Sequence, residues 1–140
     1  MHYELSRFVK AQQSDYQQAL SEIKNEKKTT HWMWYIFPQI KGLGKSSTSQ
    51  YFAIQSVEEA KAFLNDSYLG GNLLEISQTL LSLNQNNPTA IFGRPDDMKL
   101  KSCMTLFACI SEEDSVFHKV LDKYFNGKMD KKTLGILHLN

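Results

Sequence analysis

Helix-start signals recur along this chain at short intervals, and between them apolar residues keep a helical rather than an alternating period. Ser56-Val57-Glu58-Glu59 reads as a capping box. Pro88 and Pro95 suit the first turn of a helix, and Ser115 and Asp130 suit the N-cap. Gly93 and Asn126-Gly127 read as stops. A chain punctuated this way can bury its apolar stripes only by packing short helices on one another.

Following the stripes gives the elements. Leu5, Phe8 and Val9, then Tyr16, Ala19, Leu20 and Ile23 are helical. Gln12 and Gln13 interrupt them, and Ser14-Asp15-Tyr16-Gln17 reads as a second capping box, predicting two helices over roughly 3–13 and 15–27. A turn capped by Ser47 or Thr48 holds Tyr51 and Ile54, and a helix runs from Ser56 to about Asn65. Gly70-Gly71 is awkward inside a helix, so the next helix is expected to start near 69–72. Its core-facing stripe is Leu73, Leu74, Ile76, Leu80, Leu81 and Leu83. Pro95-Asp96-Asp97 opens another, with Leu100, Cys103, Phe107 and Ile110 on one face. The stretch from His31 to Gln39 is apolar all round, so a buried strand and a short buried helix fit it equally, and Pro38 ends it either way. The expectation is all-α: one domain over 1–140, an orthogonal array or short helical superhelix of about seven or eight helices.

Composition narrows the function classes. With 41% hydrophobic residues the 140-residue chain can fill a core, and its net charge of +1 lacks the basic excess of a dedicated nucleic-acid binder. The longest apolar run, Trp32 to Pro38, is far short of the ~20 residues of a membrane span, and the N-terminus does not resemble a signal peptide. Cys103 and Cys109 fall on one helix, ~9 Å apart at 1.5 Å per residue, too far for a disulfide. Free thiols and a cytoplasmic location follow as expectations.

Motifs of known chemistry are missing: no Walker loop, dinucleotide fingerprint, CxxC, HExxH or GxSxG. Gly42-Leu43-Gly44-Lys45-Ser46 looks like part of a P-loop, but Gln39 stands where its first glycine belongs. His2, His31, His118 and His138 share no metal-type spacing, so neither a metal nor a cofactor is expected. Two segments hold candidate site residues. In residues 29–51, His31, Trp32, Trp34, Gln39 and Lys45 flank a glycine loop; tryptophan rings could stack on a planar group, and Lys45 hold an anion. The competing view is that the rings are core and the loop a connection. In Asp96–Thr105, Lys99, Ser102 and Thr105 fall near one strip, with Asp97 available as acid or base. The competing view there is a solvated face with an Asp–Lys pair. The clusters Lys24, Lys27, Lys28 and Lys128, Lys131, Lys132 read as solvated surface.

These segments also carry a family resemblance. His31-Trp32-Met33-Trp34-x-Ile36-Phe37-Pro38-Gln39-x-x-Gly42-Leu43-Gly44 and Ile91-Phe92-Gly93-x-Pro95-Asp96-Asp97-x-Lys99-Leu100-x-Ser102-x-Met104-Thr105 are its densest strings. Leu5-Ser6-Arg7-Phe8-Val9 precedes them, and Leu121-Asp122-Lys123-Tyr124-Phe125-x-Gly127 follows. From end to end the chain resembles the family catalogued as domain of unknown function 1810. That resemblance implies a mainly helical, superhelix-type fold, found mostly in bacterial proteins, with no established activity. Members have been labelled calpastatin-like; a compact, aromatic-rich chain gives that label no support. The family pattern suggests that both motifs meet at one cleft. The expected function is a small-molecule site, binding or catalytic, for an anionic ligand of phosphorylated or nucleotide-like type. Trp32 and Trp34 would be its walls, Lys45 and Lys99 its anion clamps, and Gln39, Ser102 and Thr105 its orienting groups, with His31 and Asp97 as acid–base candidates. The alternatives are a helical protein-interaction module and, third, a nucleic-acid binder.

Overall fold

The computed structural model describes residues 4–139; the expected helix start at Tyr3, His2 and the chain ends lie outside them. Among the described residues there are nine helices: α1 Ser6–Lys24, α2 Met33–Ile36, α3 Ser47–Tyr51, α4 Val57–Asn65, α5 Ser67–Ser82, α6 Pro88–Phe92, α7 Asp96–Cys109, α8 Val116–Phe125 and α9 Lys131–Ile136. They form one all-α domain around one core.

Several caps sit where the sequence puts them. Ser56 accepts from Glu59 N at 3.1 Å, Ser115 from His118 N at 3.3 Å and Asp130 from Thr133 N at 2.9 Å. Pro88 opens α6, Gly93 ends it at φ 71°, and Asn126 closes α8 in the left-handed region.

Three boundaries differ, each for a tertiary reason. α1 is continuous where two helices were expected. Gln12 interrupts the apolar stripe without breaking the helix, because its buried amide donates to Tyr35 O at 2.8 Å and accepts from Asn72 Nδ2 at 3.0 Å. α5 starts earlier than expected, since Asp66 caps it by accepting from Tyr68 N and Leu69 N. Gly70 therefore lies inside the helix, where a Cβ would meet Leu64 O at 1.9 Å; α4 and α5 can cross this closely only over a glycine. α3 is capped by Ser46, not by Ser47 or Thr48. The expected stripe of α5 is also narrower: Leu73, Ile76 and Leu80 are buried, whereas Leu74 is 40% exposed.

The Trp-rich stretch resolves as the single turn α2, held between α1 and an isolated parallel bridge of Ile40 with Ile54. Behind it the core is a row of rings, Phe8, Phe63, Phe107 and Phe117, with centroids 5.1 to 5.6 Å apart. α7 runs through the middle, packed by α4, α6, α8 and α9, and from Leu100 to Ala108 only Lys101 leaves the interior. α5 ends without a glycine because Lys123 Nζ and Tyr124 OH cross from α8 to donate to the Leu80 carbonyl, at 2.9 and 2.6 Å.

Candidate functional site

Centring α7 brings its first turns opposite α2 and the glycine loop that follows it. A groove of about 1130 Å³ opens between them. Trp34, Gln39, Lys45, Lys99 and Ser102 line it, so both sequence motifs contribute to the same concavity.

Lys99 occupies the meeting point. Its Nζ lies 3.1 Å from Asp96 Oδ1 and 4.4 Å from the centroid of the Trp34 ring. Asp96 Oδ2 also holds Lys28 Nζ at 2.8 Å, and that lysine side chain is only 7% exposed. Burial opposes the charged form of Asp96, but hydrogen bonds and charge from Lys28 and Lys99 outweigh it and keep its carboxyl below the usual range. The glycine loop is tight: a Cβ at Gly44 would sit 2.4 Å from Ser49 Oγ.

The charge of the groove is one-sided. Six lysines line it (Lys45, Lys99, Lys101, Lys128, Lys131 and Lys132) against a single lining carboxylate, Asp130. Among the described residues only Lys99 of the six is ion-paired, with Asp96 behind the wall. Asp130 is engaged as the α9 cap, accepting from Thr133 N at 2.9 Å and Thr133 Oγ1 at 2.7 Å. Sequence reading dispersed these lysines, taking Lys128, Lys131 and Lys132 as solvated surface and leaving out Lys101. Only the return of the α8–α9 connection to α7 assembles them. That return is pinned by Thr105, whose hydroxyl donates to Lys101 O and accepts from Asp130 N, both at 2.8 Å.

Four candidates fall elsewhere. Trp32 is 1% exposed and cannot serve as a stacking wall; its Nε1 donates to Glu22 at 3.0 Å inside the core. Thr105 is fully buried and acts on the backbone, as described. Asp97 is buried and accepts from Thr89 Oγ1 at 2.6 Å, which fixes α6 to α7. His31 is exposed and lines none of the groove, its carbonyl accepting from Tyr35 OH at 3.2 Å. Ser102 reaches the groove edge while its hydroxyl donates to Met98 O at 3.2 Å.

A second, smaller pocket of about 360 Å³ adjoins the groove at Trp34. Trp34, Gln39, Gly44 and Ser49 line both. Lys41, Gln50, Phe52 and Gln55 are among the other residues of the smaller one. Gln50 Nε2 donates to Lys45 O at 2.9 Å and Gln55 Nε2 to Ala53 O at 3.0 Å, so both amides are oriented by the backbone. Among the described residues, no group of three His, Cys, Asp or Glu side chains could hold a metal ion, and no helix is long and apolar enough to cross a membrane.

Comparison with known proteins adds a family and a fold. The family model described as "Protein of unknown function (DUF1810)" matches residues 2–137. Among solved structures, the chain is similar to the conserved hypothetical protein Rv1873 from Mycobacterium tuberculosis, at 39% identity, with 97% of each chain covered and a TM-score of 0.93. No curated protein matches.

Proposed function

This chain belongs to the DUF1810 family, whose description carries no activity, and we propose that it binds a small phosphorylated molecule in the groove between α2 and α7. One observation carries the reading. Six of the sixteen basic residues of a chain with net charge +1 line a single concavity, with one already engaged carboxylate among them. Like charges gathered in a recess repel one another and raise the local potential, a cost that an anionic ligand offsets. Ammonium groups on flexible stems suit phosphate oxygens, and the half-buried Trp34 adds a flat apolar wall. With Asp130 engaged and His31 and Asp97 elsewhere, the lining favours binding over acid–base chemistry.

A helical interaction module is the second reading. It draws on a shallow depression lined by Leu64, Leu74, Leu81, Val116 and Phe117, where Leu74 stays 40% exposed.

The discriminating experiment is a thermal-shift titration with inorganic pyrophosphate at fixed ionic strength. At ~100 times its dissociation constant a ligand adds about 2.7 kcal/mol of stability. Pyrophosphate is expected to raise Tm in the wild type and much less in Lys99→Ala. An unchanged Tm at millimolar pyrophosphate rejects the phosphate reading and leaves the interaction module.

A further inference from the structure

The groove and the smaller pocket are not independent concavities. They share four lining residues, Trp34, Gln39, Gly44 and Ser49, two of which carry polar groups open to both. Trp34 has its ring over Lys99 Nζ on the groove side, yet its indole N–H has no hydrogen-bond partner among the described residues. The Gln39 amide, half-buried and lining both recesses, has none either. Both polar groups reach solvent where the two recesses adjoin, so a ligand that spans both can replace water on them.

The two recesses differ in chemistry. The groove offers ammonium groups. The smaller pocket offers the Trp34 ring, three amides from Gln39, Gln50 and Gln55, and a single lysine, Lys41, with Phe52 packed behind against Phe8, Tyr35 and Tyr51. Gln50 and Gln55 are each anchored by one N–H to a backbone carbonyl, so their oxygens keep a set direction. Amides beside an aromatic face match a planar heterocycle that carries adjacent donor and acceptor atoms on its edge, as a nucleobase does. Its volume, about 360 Å³, lies at the small end of the range for ligand pockets, roughly 300–1,000 Å³.

Building on the phosphate reading of the groove, we infer that the ligand is a nucleotide. Its base enters the smaller pocket against Trp34, and its phosphates pass Trp34 and Gln39 to reach the lysines. The amides then select the base, and the lysines supply affinity that any polyphosphate shares.

Isothermal titration calorimetry separates the two layers. The probes are inorganic pyrophosphate, the four common ribonucleoside diphosphates and a twelve-nucleotide single-stranded RNA, titrated into wild type, Gln55→Ala, Phe52→Leu and Lys99→Ala. Gln55 is exposed, so its truncation leaves the fold intact if the Phe52 variant does not. One or more nucleoside diphosphates should bind at least tenfold more tightly than pyrophosphate. Gln55→Ala should erase most of that advantage with pyrophosphate affinity unchanged, while Lys99→Ala weakens both. Equal affinity for pyrophosphate and all four diphosphates, or a diphosphate advantage that survives Gln55→Ala, overturns the nucleotide inference and leaves the phosphate groove standing. If neither pyrophosphate nor any diphosphate binds, the phosphate reading itself falls. RNA binding more tightly than every diphosphate also overturns the inference, making the groove a track for a polynucleotide.

Discussion

Lys99 Nζ lies 4.4 Å from the centre of the Trp34 ring while still paired with Asp96 at 3.1 Å. The pairing makes Lys99 separable from the fold. Without it, Asp96 keeps Lys28 at 2.8 Å and is not left as a lone buried charge. Lys99→Ala is therefore expected to shift Tm by only a few degrees and to weaken pyrophosphate binding at least tenfold, about 1.4 kcal/mol. Calorimetry beside a melting curve checks both halves, and a collapse of Tm would mean that Lys99 is structural.

Of the two tryptophans, Trp32 is enclosed and Trp34 faces the groove. Pyrophosphate should change the intrinsic fluorescence of the wild type, and Trp34→Phe should make the titration silent. A signal that persists in Trp34→Phe would place the binding event away from the groove.

Glu22 organises the segment that leads into α2. Its carboxylate accepts from Thr29 N at 2.7 Å, Thr30 N at 3.0 Å, Gln18 Nε2 at 2.9 Å and Trp32 Nε1 at 3.0 Å, as well as from the Thr30 hydroxyl. Burial pushes its pKa up, but the hydrogen bonds win and bring it down to about 2 from an ordinary 4.5. A carboxyl depressed in the folded state contributes stability that is present above about 4.5 and lost as pH falls toward 2. Glu22→Gln should cost about 2–3 kcal/mol at neutral pH, through weaker and mismatched hydrogen bonds. It should also flatten the fall of stability with acid across that window. Urea denaturation of both proteins over a pH series provides the comparison; parallel curves would remove Glu22 from the account.

Gly70 and Gly71 make opposite predictions. A Cβ at Gly70 would run into the Leu64 carbonyl, so Gly70→Ala should force α4 and α5 apart and cost more than about 3 kcal/mol. At Gly71 a Cβ meets nothing within 4 Å, so Gly71→Ala should stabilise the exposed helix face by about 0.5–1 kcal/mol. Chemical denaturation of the pair reads both signs.

Thr105 serves the groove at one remove. Thr105→Val keeps the shape but leaves Asp130 N without its acceptor, so the segment carrying Lys128, Lys131 and Lys132 loosens. Pyrophosphate affinity should fall several-fold although no charge is removed. A purely structural role would instead lower stability and leave affinity where it was.

The fold was largely legible because its punctuation is local: Ser56, Asn126 and Asp130 act within one turn of themselves. Where reading failed, a distant partner decided. Nothing near Gln12 announces that Tyr35 and Asn72 will satisfy it, and nothing near Gly70 announces Leu64. The site divides the same way. Trp34, Gln39, Lys45, Lys99 and Ser102 were named from two dense motifs and line one groove. Trp32 could not be told from Trp34, since a segment that is apolar all round hides which ring faces inward. Lys101, Lys128, Lys131 and Lys132 looked like ordinary solvated lysines because their convergence is a property of the α7–α9 packing.

The opposing walls of the groove come from an early stretch of the chain and a late one. No fragment of the protein can hold both, so the concavity exists only once the last helix has docked. Occupancy then becomes a report of completed folding: a molecule lodged there bridges the segment after α2 to α7 and α9, and opposes any opening that parts α9 from α7.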